Sequence, residues 1–99
     1  TFAYPSPFSP SRHNEIDNDG HVRFQYNTAK DTRVTVRVYD FAMELVAELE
    51  MVPRPANGSF SEIWNGRNQR GDVVANGVYF YSVELESDGI YWGKVMVLD

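Results

Sequence analysis

The chain has 99 residues, enough for one compact domain with one hydrophobic core, and 42% of them are hydrophobic, so it is not broadly disordered. Its net charge of −5, with the acids dispersed, argues against nucleic acid or an anionic membrane as a partner, since both select for basic patches. The absence of cysteine excludes disulfides, thiolate metal sites and cysteine nucleophiles, and no apolar run approaches the roughly 20 residues that a membrane helix needs. No signal peptide is present, and Thr1 in place of Met suggests a piece of something larger.

In chain order, residues 1–12 carry Pro5, Pro7 and Pro10 and read as an extended linker docking as an edge segment, with the domain proper over 13–99. "HNEIDNDG", 13–20, is polar and turn-like. "VRFQYN" then places Val22, Phe24 and Tyr26 on one face, and "RVTVRVYD" places Val34, Val36 and Val38 on one face, the period of half-buried strands. "FAMELVAELE" is read as a turn near 41–44 followed by a strand over Leu45 to Leu49, and "VPRPANGS" as a loop. "FSEIWN" is a strand bearing Trp64, "GRNQRGD" a polar turn, and "GVYFYSVELE" a long strand apolar on both faces near its start, hence central and covered. "SDG" marks a hairpin into "IYWGKVMVL". About seven short strands and no helix predict an all-β, antiparallel β-sandwich.

Four constellations bear on chemistry. Glu15, Asp17 and Asp19 alternate before Gly20, a spacing that a calcium loop uses, although Tyr26 stands where the bidentate glutamate belongs; the other reading is a solvated turn with no cofactor. Arg70-Gly71-Asp72 is an adhesion tripeptide and equally an ordinary turn. Tyr39, Phe80, Tyr91 and Trp92 are candidate stacking rings for a polysaccharide, while Trp64, Phe24, Tyr26 and Tyr79 belong to the core. His13 and His21 are the only histidines, and Glu84 and Glu86 alternate on one solvated strand face; no nucleophile elbow, metal-binding His pair or phosphate loop occurs, and a sandwich this small has little room for a deep pocket. The expectation is a domain that is not an enzyme.

"WNGRNQRGDVVANGVYFYSVEL", "YPSPFSPS", "VRFQYNTAKDTRVTVRVYDFAMELVAEL" and "YWGKVMVLD" together resemble the Ig-like domains of flagellar hook-capping proteins, over nearly the whole chain. The resemblance implies an Ig-like or fibronectin III-like sandwich in which Trp64, Gly66, Gly71, Gly77 and Tyr79 are structural. It further implies a C-terminal accessory module of a larger secreted or cell-surface bacterial protein, as among type IX secretion cargo, often hydrolases. Its partners would be the adjacent domain or the export and anchoring machinery. A carbohydrate-binding module attached to a glycoside hydrolase is the alternative. Departures from the family pattern are Ser6 for the usual asparagine, Met43 for the usual turn glycine, Glu62 for an apolar residue and Asp99 for a basic one.

Overall fold

The computed structural model describes residues 1–11 and 20–99. Among them the elements are eight strands: β1 (Phe2–Tyr4), β2 (Val22–Asn27), β3 (Thr32–Tyr39), β4 (Leu45–Glu48), β5 (Val52–Arg54), β6 (Ser59–Trp64), β7 (Gly77–Leu85) and β8 (Gly89–Val97). They form two antiparallel sheets, a three-stranded one in the order β1-β2-β6 and a five-stranded one in the order β4-β3-β7-β8 with β5 also on β3. The result is an Ig-like β-sandwich.

Two strands lie in stretches whose prolines predicted a loop and a linker. Pro53 sits in β5, where "VPRPANGS" predicted a loop; β5 pairs only with β3, and a strand bonded on one side can turn the proline nitrogen toward solvent. In the N-terminal proline segment, Phe2, Ala3 and Tyr4 pair with Gln25, Phe24 and Arg23 at the edge of the smaller sheet. The chain then crosses to the larger sheet. Phe8 bridges Val97 in parallel, donating its N–H to Met96 O at 2.7 Å and accepting the N–H of Leu98 at 2.9 Å. Its ring is 0% exposed, so this segment fills the core as well as forming an edge.

Period-two alternation supplies the rest of the core. Val22, Phe24 and Tyr26 of β2 face Val34, Val36 and Val38 of β3, with Tyr79, Tyr81, Val83 and Leu85 of β7 and Val95 and Val97 of β8 completing it. The rings run as a column between the sheets. Tyr81 stacks on Phe24 at 4.2 Å between centroids, Phe24 lies 6.4 Å from Trp64, and Trp64 meets Phe8 at 6.3 Å and the edge of Tyr79 at 5.9 Å. Each buried ring contributes about 1.5–3 kcal/mol by leaving water, and each aromatic pair about 0.5–1.5 more. Trp64 keeps its polar end satisfied, donating Nε1–H to Arg67 O at 3.0 Å.

Two glycines make this column possible. A Cβ on Gly93 would sit 2.5 Å from Tyr81 Cζ and Oη, so the ring lies directly against the β8 backbone. Gly66 has φ +75°, and a Cβ there would come within 2.9 Å of Pro10 and 3.1 Å of Phe8. Gly71 sits on a turn at φ +87°, and Gly77 opens β7.

Glu62 has an inward-facing place on β6, opposite Phe24, where the resemblance led one to expect an apolar side chain. Its carboxylate, on a side chain 13% exposed, forms a clasp between the sheets. Arg54 of β5 donates to it twice, Nε to Oε2 at 3.1 Å and Nη2 to Oε1 at 3.0 Å. Tyr26 of β2 donates its hydroxyl to the same Oε2, and the guanidinium lies 5.3 Å from the Phe60 ring centroid. A fork of donors satisfies the charge, which is how the departure from an apolar residue is tolerated.

Removing one arm of the clasp with Arg54→Met leaves a half-buried carboxylate short of donors and is expected to lower the unfolding free energy by about 2 kcal/mol. The double variant Arg54→Met/Glu62→Leu should recover most of that loss. Urea denaturation decides: a single variant as stable as the parent chain contradicts the clasp.

Burial raises the hydroxyls of Tyr26, Tyr79 and Tyr81 above their ordinary value of 10.0, and the Glu62 bond adds to the rise at Tyr26. A group held neutral in the fold but free to ionise in the unfolded chain contributes stability below the unfolded value. That contribution is lost as pH climbs through it toward the folded value. Melting temperature should therefore be flat from about pH 7 to about pH 9 and fall above about pH 10, with a shallower fall in Tyr26→Phe. An unchanged alkaline slope in Tyr26→Phe would count against this assignment.

Candidate functional site: the outer face of the larger sheet

The outer face of the five-stranded sheet carries the side chains that the core does not use. By register, Tyr39 pairs with Phe80 and Phe80 with Lys94; Ser82 pairs with Trp92, and Val78 with Met96. Tyr39 and Trp92 meet diagonally with centroids 5.5 Å apart, and Phe80 meets Phe41 at 5.9 Å. Trp92 is 53% exposed and Phe41 76%. The other half of the face is ionic. Arg37 bridges three strands, with Nη1 2.8 Å from Glu84 Oε2 and Nη2 3.4 Å from Glu48 Oε1, and the Glu84 bond raises its already high pKa. Glu84, one of the two alternating acids in the sequence, is thus held as an ion-pair partner.

Of the four rings proposed as a sugar platform, the structure brings together Tyr39, Phe80 and Trp92. Tyr91 does not join them. It neighbours Trp92 on the same strand, and a one-residue offset points it to the other face of β8, where its hydroxyl donates to Asp88 Oδ2 at 2.7 Å. The remaining rings are inclined, by 39° between Tyr39 and Trp92 and by 31° between Phe41 and Phe80, so they offer no coplanar pair for a sugar ring. Phe41 is the ring that the sequence reading missed. Its signal was there: it stands two residues after Tyr39, in phase with it.

Next to Phe41, the chain turns through Met43 at φ 64°, the left-handed conformation that suits the glycine which the resemblance led one to expect there. Asp40 makes the turn possible. Its Oδ1 accepts the N–H of Glu44 at 2.9 Å, its carbonyl accepts that of Met43 at 2.9 Å, and its own N–H donates to Glu44 O at 3.0 Å. A methionine in this conformation costs roughly 1 kcal/mol and leaves Phe41, Met43 and Leu45 exposed at one corner of the face.

The remaining candidates fall elsewhere. Arg70, Gly71 and Asp72 lie exposed on a turn bonded from within: Asn68 Oδ1 accepts the N–H groups of Arg70 and Asp72 at 2.9 and 3.0 Å, and Arg67 Nη1 donates to Gly71 O at 2.8 Å. Glu15, Asp17, Asp19 and His13 lie outside the described residues. Among the described residues, no group of three His, Cys, Asp or Glu side chains converges as metal ligands do. Asp99 ties the last strand to the N-terminal segment, its Oδ1 accepting from Ser9 Oγ at 2.7 Å and Ser11 Oγ at 2.5 Å, while its N–H donates to Asn76 Oδ1 at 2.9 Å. A depression beside Arg33, Pro53, Arg54 and Glu86 is open to solvent, and its Arg54 is already engaged by Glu62.

Comparison with known proteins fits this picture. Residues 11–89 match the FlgD Ig-like domain. No curated protein matches the chain in sequence. Among solved structures it is similar to PorU of Porphyromonas gingivalis, with a TM-score of 0.72 and 22% identity over 97% of this chain and 9% of that one. It is also similar to PorZ of the same organism, described as an essential bacterial surface component of the type-IX secretion system, with a TM-score of 0.62 and 21% identity over 98% of this chain and 11% of that one. FlgD of P. aeruginosa gives 0.63 and 20% identity over 95% of this chain and 69% of that one. The chain therefore spans about a tenth of the two Porphyromonas proteins, and at these identities the likeness is one of fold. With the family match over most of its length, the chain belongs to the FlgD Ig-like domain family.

Proposed function

We propose that this domain is a non-catalytic accessory module of a larger secreted or surface-displayed bacterial protein. It sits at that protein's C-terminal end and serves its export, its anchoring or its packing on the neighbouring domain. The observation that carries the reading is the outer face of the larger sheet, where Tyr39, Phe41, Phe80 and Trp92 expose contiguous apolar surface beside an ionic half built on Arg37. A contiguous exposed apolar patch rimmed by charge is characteristic of a docking surface. The recurrence of the same fold within much longer chains, one of them a surface component of a secretion system, supports it by analogy.

The test uses the protein that carries the module. Deleting the module should leave the activity of the rest of the protein intact in cell lysates and abolish its surface display. Because a deletion can also disturb a neighbour, the double variant Phe41→Ser/Trp92→Ser provides the finer measurement. Both side chains are exposed, so the module should keep its melting temperature within a few degrees while surface display falls severalfold. Normal display of the deletion protein, with the rest of that protein as stable as before, refutes the reading.

A further inference from the structure

Among the described residues, the outer edge of β8 has unpaired peptide groups from Ile90 to Lys94. Leu98 donates its N–H to Phe8 O, and Met96 accepts the N–H of Phe8, so the even-numbered residues at this end turn their peptide groups away from β7. In an antiparallel strand the N–H and C=O of a residue share a side, and the side alternates along the chain. Ile90, Trp92 and Lys94 therefore present their N–H and C=O groups outward, and none of these groups has a partner among the described residues. The N-terminal segment bonds only to the far end, through Phe8 and through Ser6 Oγ, which accepts the N–H of Met96 at 3.4 Å; β1 packs beside β8 without bonding to it. Exposed edges are usually kept short, interrupted by proline or crowded with charge. This one stays unpaired from Ile90 to Lys94, lacks proline and carries a single charged side chain, Lys94.

We propose that β8 pairs with β8 of a second copy of the chain, antiparallel about a two-fold axis at Trp92. The parity of the outward groups sets the register. Trp92 lies opposite the partner's Trp92, and Ile90 opposite the partner's Lys94, so every outward peptide group between residues 90 and 94 gains a hydrogen bond. Charge fits the same register. Ile90 has Glu84 as its neighbour on β7, so the partner's Lys94 arrives two strand spacings, about 10 Å, from the Glu84 that Arg37 already engages, a gap that its flexible four-carbon stem shortens across Ile90. No carboxylate lies on β8 to oppose its own image, although the chain as a whole is acidic. The two larger sheets become one, with both sets of Tyr39 and Phe80 rings on the same side. The edge contact therefore widens the aromatic face rather than hiding it.

The chain has no cysteine, so an introduced one reports alone. Across a hydrogen-bonded antiparallel pair the Cα atoms lie about 5.5 Å apart, within the range a disulfide spans. Under mild oxidation Trp92→Cys should form a covalent dimer, whereas Thr35→Cys, on the same face but away from the edge, should stay monomeric. Ile90→Cys should be trapped only when mixed with Lys94→Cys. In sedimentation of the cysteine-free chain, Ile90→Pro removes just an outward N–H, spares the β7 ladder and should weaken the dimer by more than about tenfold. The proposal is overturned if the unmodified chain sediments as a monomer up to about 1 mM. It is equally overturned if Trp92→Cys is trapped no faster than Thr35→Cys, or if a dimer persists unchanged in Ile90→Pro.

Discussion

The fold depends on a column of rings that reaches from one sheet to the other. Phe8, Trp64, Phe24 and Tyr81 touch in sequence, and the column fits because Gly93 brings no Cβ into the space that Tyr81 occupies. The smaller sheet supplies Trp64 and Phe24, the larger sheet supplies Tyr81, and the N-terminal segment adds Phe8. One packing requirement therefore joins residues from both layers and from nearly the full length of the chain. The valine rows of β3 and β8 fill around the column. Their β-branched side chains are stiff, so the core is specified by shape as well as by hydrophobicity.

The polar devices stand where that column leaves the sandwich open. The Arg54–Glu62–Tyr26 clasp closes one margin by joining β5 of one sheet to β6 and β2 of the other. Asp99 closes another by gathering Ser9, Ser11 and Asn76. Each uses a carboxylate, Glu62 or Asp99, that the resemblance did not lead one to expect, and each places that charge against several donors. The outer aromatic face and the unpaired peptide groups of β8 are what remain once the core, the clasps and the turns are accounted for. An Ig-like layer structure concentrates leftover apolar groups on a sheet face and leftover peptide groups on a sheet edge, and both are means of binding other polypeptide.

Much of this was legible in the residues because alternation reports burial directly. Val22–Phe24–Tyr26, Val34–Val36–Val38 and Tyr79–Tyr81–Val83–Leu85 read inward from sequence and lie inward in the structure. Proline misled where its context was an edge: β5 forms around Pro53 because only one side of that strand is bonded. Glu62 did not announce its partner, since a charge facing inward makes sense only when Arg54 and Tyr26 converge on it from two other strands. Tyr91 was grouped with Trp92 by adjacency, although period two sets neighbours on opposite faces. Met43 was noted as a departure from glycine, and the turn nevertheless forms because Asp40 bonds it from within. Phe8 carried no local signal, because the crossing between sheets that buries it is a long-range event.

The measurement that bears most directly on the ring column is the stability of Gly93→Ala. A methyl group at that position collides with the Tyr81 ring, so unfolding by urea should show a loss of about 2–3 kcal/mol, with part of it restored when Tyr81→Leu is added to make room. If Gly93→Ala is within about 0.5 kcal/mol of the parent chain, Tyr81 does not press on the β8 backbone and the column is not the constraint that organises the fold.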